Sequence, residues 1–236
     1  MATDPLTLRR YARAIGVAML LSILFGTLGE MVLPGRIIVP GDPTATAANL
    51  AHLSLVRMSF ATYLVEGICD VALAGLFYIL LRDVNRNLAL LSACFGLAAM
   101  VIYATAQSSF FTASLTVSAS SGMAAFSAEQ RAALAMLAIR RSEAIATLFL
   151  ALYGIATMLR GYLLLRSRYL PKLLGALFVL GGAGFFLRTA TYLLAPAYSS
   201  PLLLLPMALG GIPLMLWLLF RGIATAPDPS AVRPMA

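Results

Sequence analysis

Charge is scarce in this chain. Only 11% of its 236 residues are Asp, Glu, Lys or Arg, against roughly 25% in soluble domains. That leaves too little polar surface for an ordinary water-soluble fold. Cysteine is limited to Cys69 and Cys94. Both lie in apolar runs, with no CxxC and no Cys/His cluster, so a disulfide framework is excluded and both read as small buried residues. His52 is the single histidine. With no partner cluster it reads as a surface or capping group rather than a metal ligand. Sixteen of the seventeen basic residues are Arg, and the one lysine, Lys172, sits at a helix mouth, too shallow for a Schiff-base chromophore. There is no P-loop, dinucleotide fingerprint, HExxH or nucleophile elbow. No metal or cofactor is expected.

What is present is apolar. Hydrophobic residues make up 61% of the chain and mean hydropathy is +0.92, as in a polytopic membrane protein. The net charge of +8 does not point to nucleic acid. The arginines stand mainly at the ends of apolar runs, where membrane topology puts them, and no aromatic-interleaved basic surface is evident.

Six apolar runs can be placed: Ala12 to Leu33, Val56 to Leu81, Leu88 to Leu115, Glu143 to Leu165, Leu170 to Leu194 and Leu202 to Phe220. The first is too long for a typical signal-peptide core and reads as a retained span. Pro34, Pro40, Gly41 and Pro43 are expected to break it from a short helix, about Pro43 to Ser54, capped by Asp42 and lying at the interface or folded back over the bundle. Residues 116–125 read as a small-residue loop. Ser127 with Gln130 matches a capping box, starting an interfacial helix, Ala128 to Arg141, that leads into the fourth run. Gly175, Gly181, Gly182 and Gly184 would let the fifth run approach its neighbours closely. Pro206, Gly210, Gly211 and Pro213 suggest a kinked or interrupted sixth helix. The expected fold is therefore all-α, a six-transmembrane-helix bundle over residues 1–221 with short interfacial helices in the first and third connections. A disordered cytoplasmic tail, 222–236, follows.

Six spans put both termini on one side. Arg9, Arg10, Arg13, Arg82, Arg86, Arg160, Arg166, Arg168, Lys172, Arg221 and Arg233 fall there. Arg36, Arg57, Arg131, Arg140, Arg141 and Arg188 fall on or near the other. Eleven against six predicts cytoplasmic termini in the bacterial inner (plasma) membrane.

The second run carries Glu66 and Asp70, four residues apart and so on one helix face. Acids inside a span usually face the bundle interior or a water-filled cavity. Counting from Arg57, Glu66 lies roughly 13 Å and Asp70 roughly 20 Å into a hydrocarbon core about 30 Å thick. Glu30, Arg57, Gln107, Glu143 and Arg188 fall in the outer half. Together with Glu66 and Asp70 they outline a candidate polar cavity open to the outer side, with Arg188 to Glu66 or Glu30 as the first expected pair. No basic residue is evident at the depth of Asp70, which makes it the candidate for hydrogen bonding, proton relay or acid catalysis.

Four stretches together resemble a bacterial membrane family, domain of unknown function 4386. They are Ile38-Val39-Pro40-Gly41-Asp42 with Thr46-Ala47-Ala48-Asn49, the turn Leu80 to Arg86, the join Gly161-Tyr162-Leu163 through Arg166-Ser167 and Tyr169-Leu170-Pro171 to Gly175, and the ending Leu216-Trp217-Leu218-Leu219. The resemblance implies a six-span module and brings no reaction or ligand with it. Where an acid would be expected in the last span of relatives, this chain has Gly210-Gly211, which tells against an acid-based function shared through that position.

Three functions fit these residues. The first is binding or transport of a small or amphipathic molecule, with the bilayer as a partner and a homodimer as the source of any missing wall. The second is an intramembrane enzyme using Glu66 and Asp70 as acid and base on a lipid or isoprenoid. The third is a structural subunit whose charges only pair helices.

Overall fold

The computed structural model describes residues 5–118, 122–198 and 200–223. Among them there are helices and turns and no strand, so the all-α expectation holds. The chain forms α1 (Pro5–Gly26), a π-helical turn (Thr27–Val32), α2 (Leu33–Ile37), α3 (Pro43–Leu50), α4 (Leu53–Leu81), α5 (Arg86–Val117), α6 (Ala128–Arg166), α7 (Lys172–Leu194), two 3₁₀ turns (Pro196–Tyr198 and Pro201–Leu204) and α8 (Leu205–Phe220). Five helical stretches are long and apolar enough to cross a bilayer: Leu6–Ile37, Leu53–Leu81, Arg86–Val117, Ala128–Arg166 and Lys172–Leu194.

Local chemistry sets several boundaries. Asp42 accepts from the Ala45 N–H at 2.9 Å and starts α3 with Pro43 in its first turn. Asn85 caps α5 by accepting from Leu88 N–H at 3.0 Å. The capping box at Ser127 forms as expected, the Ser127 hydroxyl accepting from Gln130 N–H and the Gln130 amide oxygen accepting from Ser127 N–H. No separate interfacial helix follows it. Ala128 to Arg166 is one helix of 39 residues, about 58 Å long, because nothing between Arg141 and Glu143 breaks the backbone ladder. Pro34 does not end the first helix either, for a reason given below. The sixth run is helical through Gly210-Gly211 and Pro213, so its irregular part is the Pro201–Leu204 turn ahead of it. Cys94 is exposed on α5 and only Cys69 is buried. His52 is an exposed residue at the start of α4. Most of the tail expected from residue 222 lies outside the described residues, as does part of the loop at 116–125.

The helices close into a ring. α1 packs on α4, α4 on α5, α5 on α6, α6 on α7, α7 on α8, and α8 returns to α1. Two apolar clusters close its ends. One joins Ile15, Phe77, Leu80, Leu163, Leu214 and Leu218 near the chain's N-terminal end of the bundle. The other joins Ile37, Leu50, Val56, Phe110 and Ile139 at the opposite end. There α3 folds back over the bundle with Leu50 fully buried. The Thr46 hydroxyl accepts from Val39 N–H, and the Asn49 amide donates to the Ile37 carbonyl at 3.1 Å. Polar residues occupy the middle.

The tightest seam is between α6 and α7. A Cβ at Gly154 would lie 2.7 Å from the Gly182 carbonyl oxygen, and one at Gly161 would lie 2.9 Å from the Gly175 carbonyl oxygen. Gly154 and Gly161 are seven residues apart, as are Gly175 and Gly182, so each pair lies on one helix face. Backbone contact of this kind needs small residues on both sides. Gly210 is held the same way on α8 against the backbone of Leu177 and Phe178, which leaves no room there for the acid expected of relatives. Gly182→Leu is expected to destabilise the detergent-purified protein by about 1–3 kcal/mol through overpacking, read as a lower thermal midpoint. Gly75→Leu, whose Cβ would meet nothing within 4 Å, should leave the midpoint in place. Equal shifts for the two would show that the seam is not backbone-tight.

Candidate functional site

The site begins at a proline. Pro34 has no N–H, so the helix before it cannot continue an ordinary ladder. The chain widens to a π-turn over Thr27–Val32, with Leu33 N–H donating to Leu28 O. The Gly29 carbonyl is then left without a helical donor, since Leu33 is committed and the next π-type donor would be Pro34. The Ser59 hydroxyl on α4 supplies the bond at 3.0 Å, and both residues are buried. Such bulges widen a helix locally and often accompany function. Here the bulge turns Glu30, which stays exposed, toward α5, where its carboxyl accepts a hydrogen bond from the Tyr103 hydroxyl.

Beside Glu30 lies a cavity of about 530 Å³, at the end of the bundle away from the N-terminus. The π-turn and α2 form one wall, α5 and α6 the second, and α7 the third. Glu30, Gln107, Glu143 and Arg188 all line it. Tyr103 stacks on Phe149 at 4.6 Å between ring centres, and both rings line the cavity with Phe110. The Ser142 hydroxyl, also in the lining, donates to the Ala106 carbonyl at 2.8 Å and joins α6 to α5.

Deeper still, the same Tyr103 hydroxyl lies 3.4 Å from Glu66 Oε2. Glu66 is 8% exposed and Asp70 5%. Asp70 Oδ1 accepts from Ser22 on α1 at 2.9 Å and from Tyr153 on α6 at 3.4 Å. Next to them Arg160, 2% exposed, crosses the bundle from α6. Its Nε donates to the Ser92 hydroxyl at 3.3 Å, and its guanidinium lies 5.2 Å from the Phe77 ring centre and 5.9 Å from that of Tyr153. It is the cation that interacts with Asp70, although the two form no direct ion pair. Its Nη2 has no hydrogen-bond partner among the described residues. Glycines on neighbouring helices make room for both deep charges. A Cβ at Gly96 would lie 2.5 Å from Arg160 Nη2, and one at Gly26 would lie 2.6 Å from Glu66 Oε1.

Four of the residues expected from the sequence thus line one cavity from its three walls, Glu66 and Asp70 lie below it, and Arg57 stands apart as an exposed residue early in α4. The Tyr103 hydroxyl bonds to Glu30 and lies within reach of Glu66. The reading that no basic group lies at the depth of Asp70 is overturned by Arg160. The count of basic residues by side places Arg160 at the cytoplasmic end with Arg166. Yet it stands six residues inside Arg166, about 9 Å along the helix, and the depth count applied to the acids would have placed it in the span. Ser22, Ser92 and Tyr153 carry no comparable signal, since single hydroxyls on apolar helices are common.

The ring of long apolar helices around a buried polar centre defines a multi-pass membrane protein. Residues 14–222 match the family described as Domain of unknown function (DUF4386), and the chain belongs to that family. No curated protein and no solved structure matches it.

Arg160 is expected to be the most sensitive single position of this centre. Arg160→Met removes the cation from a buried anion and should cost about 3–5 kcal/mol, read by thermal unfolding in detergent. Adding Asp70→Asn should restore part of the loss. An Arg160→Met protein as stable as the parent would mean that Arg160 does not balance Asp70.

Proposed function

We propose that this protein binds, and carries across the membrane, a small or amphipathic molecule held in the cavity between the π-turn, α5, α6 and α7. The observation that carries this reading is the cavity itself. Its volume of about 530 Å³ falls in the usual range for small-molecule sites, about 300–1,000 Å³, and such sites combine apolar and aromatic walls with a few placed polar groups. Phe110, Phe149 and Leu150 supply the apolar surface, and Gln107, Glu143 and Arg188 the polar one.

The reading includes a topology. The turn Pro201–Leu204 and α8 together run for 20 residues, about 32 Å, enough for a sixth crossing of a core about 30 Å thick. Both termini are then on one side. With Arg160 removed from the count because it is buried, ten basic residues against six favour the cytoplasm. The cavity opens to the outer face of the inner membrane. A reporter fused after Ala236 should behave as cytoplasmic, and one placed in the loop after Ser118 as external.

Binding is tested with protein in nanodiscs and a panel of amphipathic cations, anions and neutral molecules, followed by thermal shift and calorimetry. Glu143→Gln and Gln107→Ala should each weaken a bound molecule about tenfold, the loss of roughly 1.4 kcal/mol of contact. Val101→Ala, on the exposed outside of α5, should not. A panel in which no member binds would sink the reading. Turnover of a lipid by the purified protein would replace it with acid–base catalysis.

A further inference from the structure

Resting on the binding reading above, we propose that Glu30, Tyr103 and Glu66 hold one exchangeable proton at the cavity floor, and that the cavity's ligand is an amphipathic organic cation that displaces it. The first half follows from counting hydrogens. A tyrosine hydroxyl has one hydrogen to donate. The Tyr103 hydroxyl donates to Glu30 and lies at 3.4 Å, within bonding reach, from Glu66 Oε2. Both bonds can exist together only if one carboxyl contributes a hydrogen of its own. Two carboxyls joined through one hydroxyl therefore call for one proton beyond the phenol's.

The neighbouring groups point to this pair as its holder. On α4, Tyr63 packs edge-on to Tyr103 at 5.0 Å. Asp70 is one turn away and is already satisfied by two hydroxyl donors, with Arg160 as its cation. On α6, Tyr153 bonds to Asp70. Across the cavity stand Glu143 on α6 and Arg188 on α7. The deep acid and the deep base thus balance each other, and the pair at the floor lies where a molecule from the cavity can reach it through Glu30.

The second half follows from the wall. Two carboxyls, Glu30 and Glu143, line the cavity against one guanidinium, and the stacked Tyr103 and Phe149 rings and Phe110 line it with them. Carboxylates attract a cation, and aromatic faces attract one that is large and poorly hydrated. An arriving cation exchanges with the proton one for one: the protein gains one positive charge, loses another, and the proton leaves through the cavity.

Tetraphenylphosphonium tests this, because it has no dissociable proton and any proton released comes from the protein. In weakly buffered detergent solution with a pH indicator, about one proton should leave per cation bound. The apparent Kd should rise about tenfold for each unit of pH lowered while the site stays protonated, as one-proton linkage requires. Glu66→Gln should abolish the release, and Val101→Ala should keep it. Infrared spectra of the unmodified protein give a second measurement, independent of variant folding. A protonated-carboxyl stretch should be present, shift in deuterated water and vanish when the cation binds. Cation binding without proton release, or no loss of that band, overturns the exchange. Binding only of anionic or neutral panel members overturns the cation while leaving the cavity as a binding site. A panel that fails altogether removes the binding reading itself.

Discussion

A guanidinium enclosed among apolar helices constrains everything around it. Lipid offers no hydrogen bonds, so each polar group within the ring must be served by another part of the protein. Arg160 meets this in part, through Ser92, two aromatic faces and the charge of Asp70, while its Nη2 has no hydrogen-bond partner among the described residues. Asp70 in turn takes bonds from α1 and α6. A group of residues on α1, α4, α5 and α6 is thereby fixed in mutual register. A buried charge pair adds little net stability over an apolar isostere, but it penalises every arrangement that separates its members. The glycines at positions 26 and 96 belong to the same constraint, because a side chain at either would occupy the space of a charge.

The hydrophobic effect does not distinguish helix from helix in a bilayer, so close approach and hydroxyl bonds must hold the ring. The α6–α7 seam does so with paired glycines, and Thr189 adds a bond across it to the Thr147 carbonyl at 2.8 Å. The seam matters to the site because α6 and α7 carry Glu143 and Arg188. A continuous series of rings also crosses the bundle, from Phe60 and Tyr63 through Tyr103, Phe149 and Tyr153 to Phe185. Two of its tyrosines, Tyr103 and Tyr153, are hydroxyl partners of the acids. Aromatic packing and polar satisfaction are therefore the same structure seen from two sides.

The π-turn shows how a local defect becomes a feature of the site. Pro34 removes one donor, the ladder slips by one residue, and the freed Gly29 carbonyl is taken up by Ser59. Glu30 sits inside that slipped turn and faces the cavity. A proline that looked like the end of a span instead sets the position of an acid within it. The slip is absorbed because α4 offers a hydroxyl at the right height, which periodicity in the first helix does not reveal.

Much of this protein was legible in its residues alone. Apolar runs and their breaks placed the helices, and Asp42 and Ser127 start theirs through contacts within three residues. The apolar environment around Glu66 and Asp70 marked the centre, because an acid in a span has few places to go. Gly210-Gly211 could be read only as a departure, and packing against α7 supplied the reason at Gly210. What the sequence could not decide were the partners: Tyr103 for Glu30 and Glu66, Arg160 for Asp70, and Ser59 for a carbonyl on another helix. Such bonds depend on which helix faces meet across the ring and at what height. Those are set by backbone contact between helices distant in sequence, whereas length, capping and hydropathy are set by near neighbours along the chain.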